Sequence, residues 1–435
     1  MSPGAVGLIG IICFLVLILL RTPISYAMFI VGFLGCSYLN SFSTATRILT
    51  QETFTTLASY SLSVVPMFML MGQFAFYAGI GARLYNFAYK AIGHVPGGLA
   101  VATQVACALF GAVCGSVTAT TATIGSIALP EMKRYNYSPS MSSASVAAGA
   151  GLGIMIPPSV FFIIYGTATE QSIGKLFIAG ILPGILLMVL LMAAAYFASL
   201  RNPKIGPRGP NATWKERIQT LGGGLWEITV IFIVSMGGLF AGWFTPTEAG
   251  GIGAAAVLVL TVLERKLKWD GILKALRDTT KTTAMILLMT AGAVVFGRFM
   301  SLSRLPFELA SFTGELPLPP ILIMGLIIVV YLILGCVIDA MALVLLTVPI
   351  FYPVVTQLLG YDPIWFGVVI ILVVGMAVIT PPVGMNAYVV KGIAPDIPLE
   401  VIFQGIWPFL IAYIICIIIL IIFPIIATFL PGFFF

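Results

Sequence analysis

Few residues in this sequence are equipped for chemistry, and the sharpest is Asp339, in "LILGCVIDAMALVLL". A carboxylate set among Leu, Ile and Val at membrane depth is costly and by default functional, the alternative being a paired structural acid. Hydroxyls crowd "ALFGAVCGSVTATTATIGSIAL" in the same way, with four threonines and two serines at its centre. The stripe Thr118, Thr120, Thr121 and Thr123 either lines a polar site or bonds back to its own helix carbonyls. Two proline pairs, in "MIPPSV" (155–160) and "ITPPVG" (379–384), interrupt other apolar segments. Proline removes a backbone donor and clashes with the preceding turn, and in hydrocarbon the freed carbonyls have no water to turn to. Such a break exposes carbonyls that can coordinate a hard cation and aims the positive end of a half-helix at an anion. A simple kink against a neighbouring helix is the plain alternative.

Other chemistries are poorly provided for. The single histidine, His94, lies in a loop, and the six cysteines are scattered through apolar runs without a C-x-x-C. With 15 acidic residues mostly in loops, no acid/base or metal constellation assembles, which argues against an enzyme. No Walker-type phosphate loop occurs, so nucleotide has no evident seat. Arg298, near the end of "AGAVVFGRFM", has two readings: it attracts an anionic substrate, or it snorkels to the interface. Glu248 in "TPTEAG" is well placed to cap the helix that starts at Pro246.

These residues sit in a chain whose solvent is lipid. Of 435 residues, 60% are hydrophobic and 8% charged, and mean hydropathy is +1.12; a soluble domain is about 25% charged. The fold class is therefore an all-α polytopic membrane protein. Full crossings are expected near 6–20, 24–39, 54–80, 138–170, 176–200, 225–244, 246–263, 283–300, 363–390 and 401–430. The first reads as a span, since no basic n-region or small-residue cleavage site accompanies it. Regions 97–131 and 318–357 are too long and too polar at their centres for one span, and read as re-entrant hairpins. Two stretches, "GARLYNFAYKAIG" and "ERKLKWDGILKALRDTTK", read as helices along the inner interface. The segment 201–219 is a basic, Pro- and Gly-rich linker. The net charge of +6 sits between apolar runs rather than on a basic face, which leaves nucleic acid without a platform. With both termini outside, the inner loops collect all 21 basic residues except Arg47, Lys175, Arg298 and Arg304, as the positive-inside rule asks.

The proline pairs also reveal a repeat. An offset of 224 residues superposes them, and it pairs Gly111 with Gly335, Thr123 with Thr347, Gly151 with Gly375 and Gly115 with Asp339. Five crossings separate the hairpins, an odd number, so the second enters from the opposite side. Inverted repeats with re-entrant hairpins and broken helices are the architecture of secondary transporters, with the site near the midplane.

The stretches "GSVTATTATIGSIALPEMKRYNY", "AAGAGLGIMIPPSV", "GWFTPTEAGGIGA" and "VITPPVGMNAYV" closely resemble the large membrane subunit of the tripartite ATP-independent periplasmic (TRAP) transporters. The similarity runs in order over essentially the whole chain. One departure is Cys114-Gly115-Ser116, where that family often carries Ser-Gly-Ser, so position 114 offers a carbonyl but no hydroxyl. The resemblance implies an elevator-type permease of the bacterial inner membrane that imports small organic anions (carboxylates, sialic acid or sulfonates) with sodium. It implies two partners, a small membrane subunit and a periplasmic solute-binding protein. It places sodium ions at Gly115, Ser116, Gly153 and Pro157, and at Gly335, Asp339, Thr380 and Gly384. Substrate is expected between the tips near Ser116, Thr118, Thr120 and Asn386, with Arg298 a further contact. The implied organisation is scaffold 1–96, first transport repeat 97–175, scaffold 176–317, second transport repeat 318–392 and a C-terminal helix 393–435. A divalent-anion/sodium symporter of the same architecture needs no binding protein, but its Ser-Asn-Thr signatures are missing here. A membrane-embedded enzyme and a passive channel are the remaining alternatives.

Overall fold

The computed structural model describes residues 1–209, 211–315 and 318–434, and every regular element among them is helical. In chain order the helices are α1 (Pro3–Leu19), α2 (Ile24–Leu39), α3 (Phe42–Leu57), α4 (Val64–Tyr77), α5 (Ile80–Ile92), α6 (Gly98–Cys114) and α7 (Val117–Arg134). Then come α8 (Pro139–Gly149), α9 (Leu152–Met155), α10 (Val160–Thr169), α11 (Ile173–Arg201), α12 (Trp214–Thr220), α13 (Trp226–Phe232), α14 (Gly238–Phe240) and α15 (Pro246–Leu263). The remainder are α16 (Trp269–Ser303), α17 (Leu305–Glu315), α18 (Pro320–Gly335), α19 (Ala340–Pro353), α20 (Pro363–Ala377), α21 (Met385–Ile393), α22 (Leu399–Ile422) and α23 (Ile425–Phe434). Many start on a local signal. Proline opens α8, α15 and α20, each behind a side-chain cap from Ser138, Thr245 or Asp362. At α15 the cap is reciprocal with Glu248, which accepts from the Thr245 backbone N–H at 2.8 Å, so Glu248 holds the capping role.

Among the described residues, seven helices are long and apolar enough to cross a membrane, and the bent pair 139–155/160–169 makes an eighth. The expectations differ from this in several places, and Ala340–Leu358, expected as one arm of the re-entrant hairpin 318–357, is itself long and apolar enough to be among the seven. The 54–80 span begins at Tyr60, because "FSTATRILTQETFTTL" is too polar to cross and forms the separate helix α3. The stretch 264–281 is not a separate interfacial helix: from Trp269 it runs without a breaker into the span, giving one helix of 35 residues. The expected 401–430 span ends at Ile422, where Pro424 interrupts the chain before α23. At 17 and 16 residues α1 and α2 fall short of the roughly 20 that a full crossing takes, as does α20, which stops before the second proline pair. The end of the expected scaffold segment, residues 316–317, lies outside the described residues.

Two helical hairpins carry the repeat. In the first, α6 and α7 turn at Gly115, whose φ of +61° suits glycine. In the second, α18 and α19 turn at 336–339. Their bases lie on opposite sides of the molecule. The base of the first meets the linker, with Ser138 N–H on the Ile205 carbonyl (3.1 Å) and Gly97 N–H on the Gly206 carbonyl (3.0 Å). The end of the second meets the far end of α10, where Gln171 Nε2 donates to Tyr352 Oη (3.0 Å). The 224-residue offset holds in the packing as well. A β-carbon on Gly111 would stand 2.6 Å from the Gly153 Cα, and one on Gly335 would stand 2.5 Å from the Ala377 Cβ, the same pair of positions in each repeat. Both breaks contain a cis proline bond, Pro157–Pro158 and Pro381–Pro382. Tyr413 of α22 packs against both Gly151 and Gly375, and its hydroxyl donates to the Ala148 carbonyl (3.1 Å).

On the linker side, Glu227 is fully buried and accepts from both Arg83 of α5 and Lys266 in the α15–α16 turn. Unpaired, that carboxylate would cost several kcal/mol. There too Lys133 at the end of α7 pairs with Asp396 at 2.8 Å, and the neighbouring ammonium holds the Asp396 carboxyl below its usual range.

Candidate functional site

Hairpin one meets the first break so closely that only glycine fits. A β-carbon on Gly115 would be 2.6 Å from the Pro158 carbonyl oxygen. One on Gly153 would be 2.8 Å from Thr120 Oγ1 and 3.3 Å from the Ser116 carbonyl oxygen. Gly115, Ser116, Gly153 and the Pro157–Pro158 break, through the Pro158 carbonyl, are therefore brought together, and Thr120 joins them. Two hydroxyls here are fully buried: Ser159 Oγ has no hydrogen-bond partner among the described residues, and Thr120 Oγ1 has only the weakly bonding Cys114 thiol beside it. A buried hydroxyl without a partner costs roughly 1–3 kcal/mol. Ser159 was not among the expected residues, although its hydroxyl directly follows the prolines in "MIPPSV". Thr120 Oγ1 and the Ser116 carbonyl face Gly153 and the Pro158 carbonyl faces Gly115, so the donors at this contact are mostly oxygens, with one thiol beside them, and oxygen donors suit hard cations. Thr121 and Thr123 turn away, each donating to the carbonyl four residues back (2.8 and 2.7 Å).

The second repeat is arranged differently. Thr380 Oγ1 is already satisfied by the Met376 carbonyl (2.8 Å), and the Cys336 thiol donates to the Pro381 carbonyl (3.3 Å). Gly384 takes a φ of +51° as the cap of α21 and packs on Phe403. Gly335 is buried against Ala377 and shares the wall of a cavity of about 370 Å³ with Asp339, Val378, Val383 and Tyr388. Asp339 caps α19, its Oδ1 accepting from Met341 N–H (2.9 Å) and Ala342 N–H (3.4 Å). Its charge is thus met by the positive end of its own helix. The lone-carboxylate picture that the sequence suggests gives way to a capped one.

The two tips face a shared cavity of about 140 Å³. Its wall includes Gly115, Ser116 and Thr118 from the first hairpin, Asp339 and Met341 from the second, and Asn386 beyond the second break. The first turns of α7, α10, α19 and α21 all line it, through Val117, Val160, Ala340 and Met385. Four helix N-termini therefore converge on one space; that of α19 already holds the Asp339 carboxylate, and the other three are of the kind that receives anions. No lysine or arginine lines it among the described residues. Asn386 donates through Nδ2 to the Ala147 carbonyl (2.9 Å), which fixes its amide and leaves Oδ1 buried and unpartnered. Two of the expected substrate residues lie elsewhere: Thr120 faces the break, and Arg298 lines a different cavity with its Nε 2.7 Å from Glu52 Oε1. No cluster of His, Cys, Asp or Glu with metal-holding geometry occurs among the described residues.

Fold and site together define a polytopic membrane protein of transporter architecture. Residues 11–426 match the model of the family described as tripartite ATP-independent periplasmic transporter, DctM component, and the chain belongs to that family. It is 35% identical over 387 residues to the C4-dicarboxylate TRAP transporter large permease protein DctM of Pseudomonas aeruginosa, covering 89% of this chain and 88% of that one. To the sialic acid TRAP transporter large permease protein SiaM of Vibrio cholerae it is 32% identical over 418 residues, 95% of each chain. To the ectoine/5-hydroxyectoine large permease protein UehC of Ruegeria pomeroyi it is 33% identical, covering 96% of each. Among solved structures, the YdaH transporter of Alcanivorax borkumensis shares the fold, with a TM-score of 0.63, 14% identity and coverage of 87% and 88%. The chain is thus a transporter permease rather than an enzyme.

Proposed function

We propose that this chain is the membrane-spanning pathway of a sodium-coupled importer for a small organic anion in the bacterial inner membrane. Substrate arrives from a periplasmic binding protein, and a small membrane subunit accompanies the chain. The observation that carries the reading is the convergence of the N-termini of α7, α10 and α21 on a cavity without cationic side chains, the fourth terminus, that of α19, being taken by its Asp339 cap. An anion there is held by backbone dipoles, which need no charged side chain to be buried with it. Carboxylate, sialic acid and sulfonate substrates, and the zwitterion ectoine, all present a carboxylate or sulfonate head to such a cavity. Sodium binds first between hairpin one and its break, where Gly115, Ser116, Gly153, Thr120 and Ser159 supply oxygens. A second ion sits by Asp339, Thr380 and Gly384. Filling these sites stiffens the tips around the anion, and the repeats then move as an elevator against the other helices. The termini face the periplasm, because that orientation keeps the basic linker inside.

The test is uptake into proteoliposomes. Transport of succinate, sialic acid, isethionate or ectoine is expected to need the binding protein and small subunit, and to stop when choline replaces external sodium. Thr120→Val removes a buried hydroxyl whose only neighbour is the weakly bonding Cys114 thiol, without loss of shape, so folding is expected to be unimpaired while sodium half-saturation rises. Equal uptake in choline, or by this chain alone, would sink the reading.

A further inference from the structure

A larger cavity, about 370 Å³, lies along the same helices on the side away from the linker. The long helix α16 serves both. It gives Thr282 and Ile286 to the central cavity, and Thr290, Ala293, Gly297 and Ser301 to the larger one, a single face at helical spacing. Helix α19 does the same with Met341 in one cavity and Leu345 and Pro349 in the other. Helix α10 contributes Phe161 to the first and Thr167 to the second. Buried Ile164 and Met289 lie on these helices between the two spaces.

Arg298 is the cationic residue on this wall. Its Nε is held by Glu52, but a guanidinium carries five N–H donors in a planar fork, and its side chain is 59% exposed. The edge formed by the two Nη groups is shaped for a further carboxylate or sulfonate. The hydroxyls opposite are committed in a particular way. Thr55 donates to the Gln51 carbonyl (2.9 Å), Thr167 to the Ile163 carbonyl (2.8 Å) and Thr290 to the Ile286 carbonyl (2.9 Å). Each has given its proton to its own helix, so what it offers a ligand is an acceptor lone pair.

We infer that this second cavity is a receiving site for the transported anion. Arg298 holds the acid group in competition with Glu52, and Thr55, Thr167 and Thr290 accept from hydroxyl or N–H donors on the substrate body. The inference rests on the reading of the chain as an anion importer. It adds a station about 18 Å from the central cavity, the rise of the 12 residues from Ile286 to Arg298. It also selects small acids that carry donors over plain dicarboxylates.

The experiment uses a probe that needs no knowledge of the substrate. Ser301→Cys is introduced into the full chain, with the parent and its six native cysteines as the blank. Labelling rates are compared for a sulfonate-bearing and a trimethylammonium-bearing methanethiosulfonate. The sulfonate reagent is expected to react several-fold faster with Arg298 present, faster still with Glu52→Gln added, and slower than the cationic reagent with Arg298→Gln. Rates indifferent to reagent charge in all three backgrounds overturn the site. Proteoliposome uptake separates the two ideas. Where wild type imports with sodium, Arg298→Gln is expected to raise the uptake KM about tenfold, in line with one charged hydrogen bond. Sodium half-saturation should be unchanged, and Arg298→Lys should rescue in part. Sodium-driven import with charge-indifferent labelling removes the receiving site alone. Charge-selective labelling without sodium-driven import removes the transport reading and leaves the anion site standing.

Discussion

Asp339 shows how far a single residue can be read before its neighbours are known. A buried acid in an apolar run is conspicuous, and its place opposite Gly115 in the repeat followed from spacing alone. Its partners were hidden, because they are the N–H groups of Met341 and Ala342, which become donors only once α19 starts at residue 340. That changes the expected behaviour of substitutions. Asparagine is as good an N-cap as aspartate, so Asp339→Asn should fold and insert normally. Alanine leaves the first turn uncapped, and Asp339→Ala should lose about 1 kcal/mol of stability. If the charge also serves the second ion, Asp339→Asn should raise sodium half-saturation about tenfold, the worth of one charge-assisted contact. Sodium titration of uptake at matched expression decides it: an unshifted midpoint in Asp339→Asn, with only Asp339→Ala impaired, would make the residue a cap and nothing more. Ser159 was illegible for a different reason. Its counterpart at the 224-residue offset is Val383, so the repeat that revealed the other positions passes over it.

At the scale of elements, the hairpins and breaks were legible because they violate the rules for a lipid-facing span, with hydroxyls at mid-depth and paired prolines. The ordinary helices were harder. Nothing in "ALRDTTKTTAMILLM" says where an interfacial helix ends and a span begins, since a continuous helix satisfies every backbone group across both environments. The repeat itself makes a prediction about packing. Gly335 faces the β-carbon of Ala377 at a distance no real side chain tolerates, so Gly335→Ala should cost about 1–3 kcal/mol by overpacking. The nearest obstruction is that methyl; the Leu343 Cδ2 methyl, at 3.0 Å, is the end of a flexible side chain, and the next backbone atom of Ala377 is 3.8 Å away. Exchanging the two, Gly335→Ala with Ala377→Gly, should therefore restore most of the loss in a thermal unfolding assay. In the first repeat the neighbour of Gly111 is already glycine and the contact is backbone to backbone, so Gly111→Ala has no such rescue. Rescue in the second repeat without damage in the first would show that the hairpins do not pack as matched copies.

For the whole molecule, the question is what moves. Tyr413 touches Gly151 and Gly375 and bonds to Ala148, which ties both broken helices to α22 as one unit. Against that unit stands α16, unbroken for 35 residues, with both cavities along one of its faces. On that face α16 carries small side chains at Ala293 and Gly297, which interlock with a facing helix less than large knobs in holes would. The sequence exposed both halves of this arrangement but not their contact, because which helix faces which is set by long-range packing that no local pattern encodes. The consequence can be tested by freezing one position. Met285 of α16 and Met341 of the second tip line the same central cavity. Oxidative cross-linking of Met285→Cys with Met341→Cys should hold the tip beside that level of α16. Sodium-driven uptake should then vanish and return when a reductant breaks the disulfide, with each single variant unaffected by oxidant. Undiminished uptake at complete cross-linking would mean that the tip need not pass along α16, and that substrate crosses by local gating within a stationary frame.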